Sequence, residues 1–208
     1  MKKRITDVYQ LDAGIGGILP PDKLKETILH SVGMEGEVVV SIGRETALQN
    51  ALKIISRVTK KGVGYFEGCY YGENTCVASQ LTSGGFDCDN FEILPLSGRV
   101  ELEQNLENYK SLIGGVIIQP FKVSLDFLQV LRAVCDEYSI FLVDDETNID
   151  SEELKNVSIK ADMLMLGSSL VSDVLPVEVI VISKDISELP IRQYPLNPVI
   201  YEMMEDVL

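Results

Sequence analysis

Short runs of β-branched and other apolar residues alternate along this chain with longer segments in which apolar side chains recur every three or four positions. The short runs, bounded by Gly, Asn, Asp or Ser, fit strands, and the longer period fits amphipathic helices. Strands are expected over Glu37–Ser41, Gly62–Phe66, Asn90–Leu94, Gly115–Gln119, Ile140–Val143, Met163–Leu166 and Val177–Ile182. Helices are expected over Pro21–Val32, with Pro in its first turn, over Glu45–Thr59, with Leu48, Leu52 and Ile55 on one face, over Val100–Tyr109 and over Leu125–Tyr138, and a short one after Pro198. Strand and helix in regular alternation predict an α/β fold: a three-layer α/β/α sandwich around a mostly parallel, seven-stranded sheet.

Nothing in the pattern divides the chain, so residues 1–208 are read as one domain. It comprises an N-terminal segment and helix over 1–33, an α/β core over 34–185 and a shortened, Pro-rich tail over 186–208. The composition agrees: 46% hydrophobic and 24% charged residues supply a full core and exclude a disordered chain. The longest apolar runs, Gly114–Ile118 and Ile140–Val143, fall far short of the roughly 20 residues that cross a bilayer, and Met1–Arg4 is followed by no apolar h-region. A cytoplasmic protein with no membrane span is expected. Cys69, Cys76, Cys88 and Cys135 form no C-x-x-C pair and His30 is the single histidine, so reduced thiols and no metal site are expected, with His30 a half-buried packing residue. The formal net charge is −14, and it is uneven: residues 1–61 carry 10 basic and 7 acidic side chains, residues 62–208 carry 8 and 25. That balance argues against nucleic-acid partners.

Ligands of open α/β sheets bind beyond the carboxyl ends of the strands, which directs attention to three loops. Ile42-Gly43-Arg44-Glu45-Thr46 is a Gly-containing turn into a helix N-terminus; its backbone N–H groups and Arg44 suit an anion, or Glu45 and Thr46 simply cap the helix. Asp144-Asp145-Glu146 closes a strand; three acids suit Mg²⁺, acid/base work or a cationic ring nitrogen, or form a solvated strand end. Gly68-Cys69-Tyr70-Tyr71-Gly72 sets adjacent tyrosines between glycines, a flat surface for an aromatic ligand or a domain-edge packing pair.

Taken in order, these segments resemble the class III aminotransferases, pyridoxal-phosphate enzymes of fold type I. Tyr9–Gly16 is similar to the stretch that ends Ser-Gly-Ile-Gly in that family, and Gln49–Lys53 to the helix after its Ser-Gly-Thr-Glu-Ala loop. Tyr65–Gly72 and Gly115–Pro120 resemble its Phe-x-Gly-x-Tyr-His-Gly segment and its Val-Ile-x-Glu-Pro strand. Phe127–Glu146, which ends Phe-Leu-Val-Asp-Asp-Glu, is the most specific match; Ala161–Gly167 and Asn197-Pro198 extend it towards the C-terminus. The resemblance implies the large domain of a fold type I enzyme, with Asp145 under the cofactor's pyridine nitrogen and Tyr70 stacked on its ring.

The departures from the family pattern bear on function. Ser168 stands at the Schiff-base lysine position, and the nearest lysines on either side are Lys160 and Lys184. The phosphate loop falls on Gly43, Arg44 and Glu45, which loses the hydroxyls and sets a carboxylate beside a dianion, at a cost of about 1–4 kcal/mol. Tyr71 replaces a His, Gln119 replaces a Glu, and the family's C-terminal small domain has no counterpart in the sequence. A transaminase uses one lysine amine both to hold the substrate covalently and to shuttle its proton. The expectation is therefore a catalytically inactive, truncated aminotransferase-like domain with a vestigial site at Asp145, Tyr70, Gly43, Arg44, Glu45, Tyr71 and Gln119. It would act by association, as a homodimer or as the partner of a related protein. No cofactor is expected; residual pyridoxal-phosphate binding, or an altered chemistry that uses Asp144, Asp145 and Glu146, is the alternative.

Overall fold

A computed structural model of the chain describes residues 20–66, 93–96, 102–119, 124–147, 160–167 and 177–187, together with 201 and 204. Helix α1 (Asp22–Val32) is preceded by Pro21, whose φ of −57° already suits the helical turn, so this proline caps the helix and does not lie inside it. It buries Leu24 and Ile28 and ends at Gly33, where φ is 66° and the N–H groups of Gly33 and Met34 reach back to the His30 and Leu29 carbonyls. His30 is exposed, against the half-buried expectation. The buried stripe follows the i, i+4 spacing of 24 and 28, and position 30 lies about 200° round the helix from it.

Strand β1 (Gly36–Ile42) leads through Gly43, at φ 80°, into helix α2 (Arg44–Thr59). As its period predicts, α2 buries Leu48, Leu52 and Ile55, with Ala47, Ala51 and Ile54 beside them. Burial of each large side chain stabilises by about 1.5–3 kcal/mol and outweighs the modest helix propensity of the branched residues. Strand β2 (Gly62–Phe66) follows, then β3 (Ile93–Leu96), helix α3 (Leu102–Tyr109) and strand β4 (Ile113–Ile118). Helix α4 (Leu125–Tyr138) is capped by Ser124, whose Oγ accepts the Phe127 N–H. Strands β5 (Phe141–Glu146), β6 (Met163–Leu166) and β7 (Val177–Ser183) and the short helix α5 (Lys184–Ser187) complete the described elements. Tyr201 and Met204 are helical and buried.

The strands join one mixed sheet in the order β1-β7-β6-β5-β4-β2-β3. Neighbours from β3 to β6 are parallel, whereas β7 pairs antiparallel with both β6 and β1. The sheet is therefore mostly parallel, with β7 alone reversed. Strand β3 runs to Leu96, two residues beyond its expected end, while residues 90–92 of the expected strand lie outside the described residues; it contains Pro95, which an edge strand tolerates because its missing N–H costs no ladder bond there.

Helices lie against both faces of the sheet. Helix α2 packs with Val39, Val63, Ile117, Val143, Met163, Met165, Ile180 and Ile182. On the opposite face, α3 and α4 cover Val116, Ile118 and Leu142. There α1, Tyr201 and Met204 cover Val38, Val40, Val179 and Val181. Asp162 ties the starts of β5 and β6 together: its Oδ2 accepts the Leu142 N–H at 2.7 Å and Arg132 Nη1 at 2.7 Å. Arg132, on α4, also pairs with Asp136 at 2.7 Å. Cys135, one turn along the same helix, is buried and unpaired, and burial pushes its thiol up to about 12.

Candidate functional site

Strands β4, β5 and β6 end on the same side of the sheet as β1, because β7 reverses twice between β6 and β1. The carboxyl ends of these strands and the N-terminus of α2 thus meet at one place. Side-chain alternation decides which residues enter it. On β5, Val143 faces α2, so Asp145 does too, while Leu142, Asp144 and Glu146 face the other way.

Asp145 is fully buried and accepts from every side. Its Oδ2 accepts Gln119 Nε2 at 3.0 Å, from the residue after β4, and Arg44 Nη2 at 3.3 Å, from the first residue of α2. Its Oδ1 accepts Thr147 Oγ1 at 2.6 Å and the Thr147 N–H at 3.1 Å. Gly43 makes the approach of Arg44 possible: at φ 80° it holds a left-handed turn that an L side chain resists, and nothing lies within 4 Å of where a Cβ would sit.

Glu178 completes the cluster. It sits on β7 opposite Ser41 of β1, on the α2 face, and is 7% exposed. Burial raises its carboxyl to about 7, against the pull of Arg44 and with the push of Asp145. Its Oε2 and Gln119 Oε1 are buried with no hydrogen-bond partner among the described residues. Ser41 is buried and accepts Asn50 Nδ2 at 2.9 Å, which fixes the first two turns of α2 against the strand end.

The structure brings together four of the positions predicted from sequence, Gly43, Arg44, Gln119 and Asp145. It gives Glu45 a place in the first turn of α2. Tyr70, Tyr71 and Ser168 lie outside the described residues. Gly167, just before Ser168, is buried against Thr147: a Cβ there would lie 2.2 Å from the Thr147 carbonyl oxygen.

Two residues went unnoticed. Thr147 follows Asp145 by two, the spacing at which an Asp side chain bonds the backbone ahead of it. Glu178 is a lone charge in an apolar strand, at an alternation position that a buried sheet fills with Val or Ile.

The acidic run itself is corrected by the structure. Asp144, Asp145 and Glu146 are not a solvated strand end but lie inside β5, at 2%, 0% and 2% exposure. Nor do they form one cluster, because Asp144 and Glu146 share the face opposite Asp145. Burial, then the charges of Glu146 and Asp145, holds the Asp144 carboxyl well above the usual range. Burial likewise pushes the neighbouring Glu146 carboxyl up, to about 7. Among the described residues no three His, Cys, Asp or Glu side chains are placed to hold a metal ion, and no helix is long and apolar enough to cross a membrane.

Comparison with solved structures places this architecture. An aminotransferase from Bacillus anthracis superposes on 99% of this chain with a TM-score of 0.72 at 14% identity, over 58% of its own length. An omega-transferase from Vibrio fluvialis matches 99% of the chain with a TM-score of 0.73 at 12% identity, over 63% of its length. The ornithine aminotransferase of Toxoplasma gondii matches 99% with a TM-score of 0.68 at 16% identity, over 56% of its length. The sequence matches no protein-family profile. The fold is therefore the aminotransferase-like, pyridoxal-phosphate fold type I architecture, and the chain spans little more than half the length of these structures.

Proposed function

We propose that this three-layer α/β/α domain is an aminotransferase-like protein without amino-transfer chemistry, which acts by association as a homodimer or as the partner of a related protein. The observation that carries this reading is the lysine-free stretch from Ala161 to Ser183. Strand β6 runs beside β5 with Met165 opposite Asp145 and ends at Leu166 and Gly167. The residue that follows in the resemblance is the amine that holds the cofactor, and here it is Ser168. A hydroxyl at that position neither forms an imine nor returns a proton as an amine does.

The cofactor that the fold implies is pyridoxal phosphate, and the donor set around Asp145 does not suit it. The carboxylate that would pair with the ring nitrogen already accepts four protein hydrogen bonds, one of them from a guanidinium. The alternative, an acid/base or metal enzyme that uses Asp144, Asp145 and Glu146 together, is disfavoured by their division between the two faces of the sheet. Association is the remaining role for a domain of this fold, and the surface that pairs two such domains is the one expected to persist.

The test is amino transfer by the purified chain, supplied with pyridoxal phosphate and a panel of amino acids and 2-oxo acids, with product amino acids followed by chromatography. No product above the protein-free control is expected. Turnover that saturates with the amino acid would overturn the proposal.

A further inference from the structure

This inference deepens the reading above and rests on it. Two of the positions at which the chain departs from the resemblance converge on one oxygen atom. Arg44 lies where the phosphate loop would be, and Gln119 lies where a glutamate would be; both donate to Asp145 Oδ2. A glutamate at 119 would have no N–H to offer, and a serine or glycine at 44 would not reach. Asp145 Oδ1 is taken by the N–H and hydroxyl of Thr147. An ionised carboxyl offers about four lone-pair positions, and Asp145, fully buried, has four donors on them.

The charge arrangement points the same way. Arg44 is the cation of an ion pair 101 residues apart in sequence, with the Asp145 side chain at 0% exposure and its own at 24%. Glu178, buried on β7 at the same end of the sheet, has an Oε2 with no hydrogen-bond partner among the described residues, and the positive charge of Arg44 draws its carboxyl down against the effect of burial. Arg44 is thus held by a fully buried carboxyl group. A cationic ring nitrogen needs both a lone pair on Asp145 and the place of its counter-charge, and Arg44 holds both. To admit the ring, the guanidinium would have to leave a buried carboxylate, a step that costs far more than breaking a pair at the surface.

We infer that Arg44 is a built-in counter-ion that has taken over Asp145, so that the cluster of Arg44, Gln119, Asp145 and Thr147 is closed to cationic aromatic rings. The residue acts as a plug for the anchor carboxylate, and its removal reopens that anchor.

The experiment uses the full chain and pyridoxamine, a probe with a basic ring nitrogen, no aldehyde to react with a lysine and no phosphate for Arg44 to attract. Binding is followed by calorimetry and by the fluorescence of the ring. Arg44→Ala is expected to bind pyridoxamine at least tenfold more tightly than the wild type, and Arg44→Ala with Asp145→Asn to lose that gain. Where the alanine variant does not melt cooperatively, Arg44→Gln, which keeps a neutral donor beside Asp145, carries the same expectation in a milder form. Equal binding by wild type and folded Arg44 variants would overturn the inference, as would a gain that persists without the Asp145 carboxylate. Amino transfer by the wild-type chain would instead overturn the functional reading, so the two failures are told apart.

Discussion

Glu178 is a charged residue in a strand that otherwise reads Val, Val, Ile, Val, Ile, Ser, and its burial gives the protein a pH-dependent weakness. Its folded carboxyl titrates at about 7, above its ordinary 4.5. The folded state therefore holds a proton that the unfolded chain releases, and stability falls as pH rises from about 4.5 through about 7. Below that window the penalty is absent; above it, the penalty reaches roughly 3–4 kcal/mol. Glu178→Gln keeps the shape and removes the titration. We expect the variant to melt higher than the wild type at pH 8 and to lose that advantage at pH 5, as read by circular dichroism. A difference that does not vary with pH would contradict the assignment. The residue-scale features that pattern reading identified were those with a local signature: the turn at Gly43, Arg44 beside it, and the acid run. Glu178 and Thr147 gain their meaning only from partners far along the chain, which no local period reports.

At the scale of elements, α2 packs closely on β4. Gly114 and Gly115 lie under Thr59 and Ile55, and a Cβ on Gly114 would lie 2.1 Å from Thr59 Oγ1. That hydroxyl cannot swing away freely, because it donates to the Ile55 carbonyl and accepts the Lys61 N–H. Gly114→Ala should therefore destabilise the protein by about 1–3 kcal/mol through overpacking, seen as a lower urea midpoint. Gly43→Ala, with open space around it, should cost only the strain of a backbone conformation that favours glycine, roughly 1–3 kcal/mol. Equal, negligible effects would mean that α2 does not press on the strand. Helices α2 and α4 were legible because their apolar stripes repeat over three or four turns and Ser124 caps the latter. The limits of β3 and β5 were not. Pro95 hides a strand that only an edge position permits, and buried acids extend β5 past the point where apolar pattern stops.

At the scale of the whole molecule, the α/β class and the parallel centre of the sheet followed from the alternation of short apolar runs with helical segments. The reversal of β7 did not, since periodicity records which face a residue takes and not the direction of its strand. That reversal matters for the site, because it brings Glu178 and Ser41 to the same end as Asp145. The charged side chains there, Arg44, Asp145 and Glu178, come from α2, β5 and β7.

The central claim is that this aminotransferase-like fold lacks a lysine poised to hold pyridoxal phosphate. The most direct test is to incubate the full chain with pyridoxal phosphate, follow the absorbance of the bound form, reduce with borohydride and map the product by mass spectrometry. We expect no saturable absorbance band and no single modified lysine. A stoichiometric reduced adduct on one lysine would contradict the claim and identify a displaced catalytic residue.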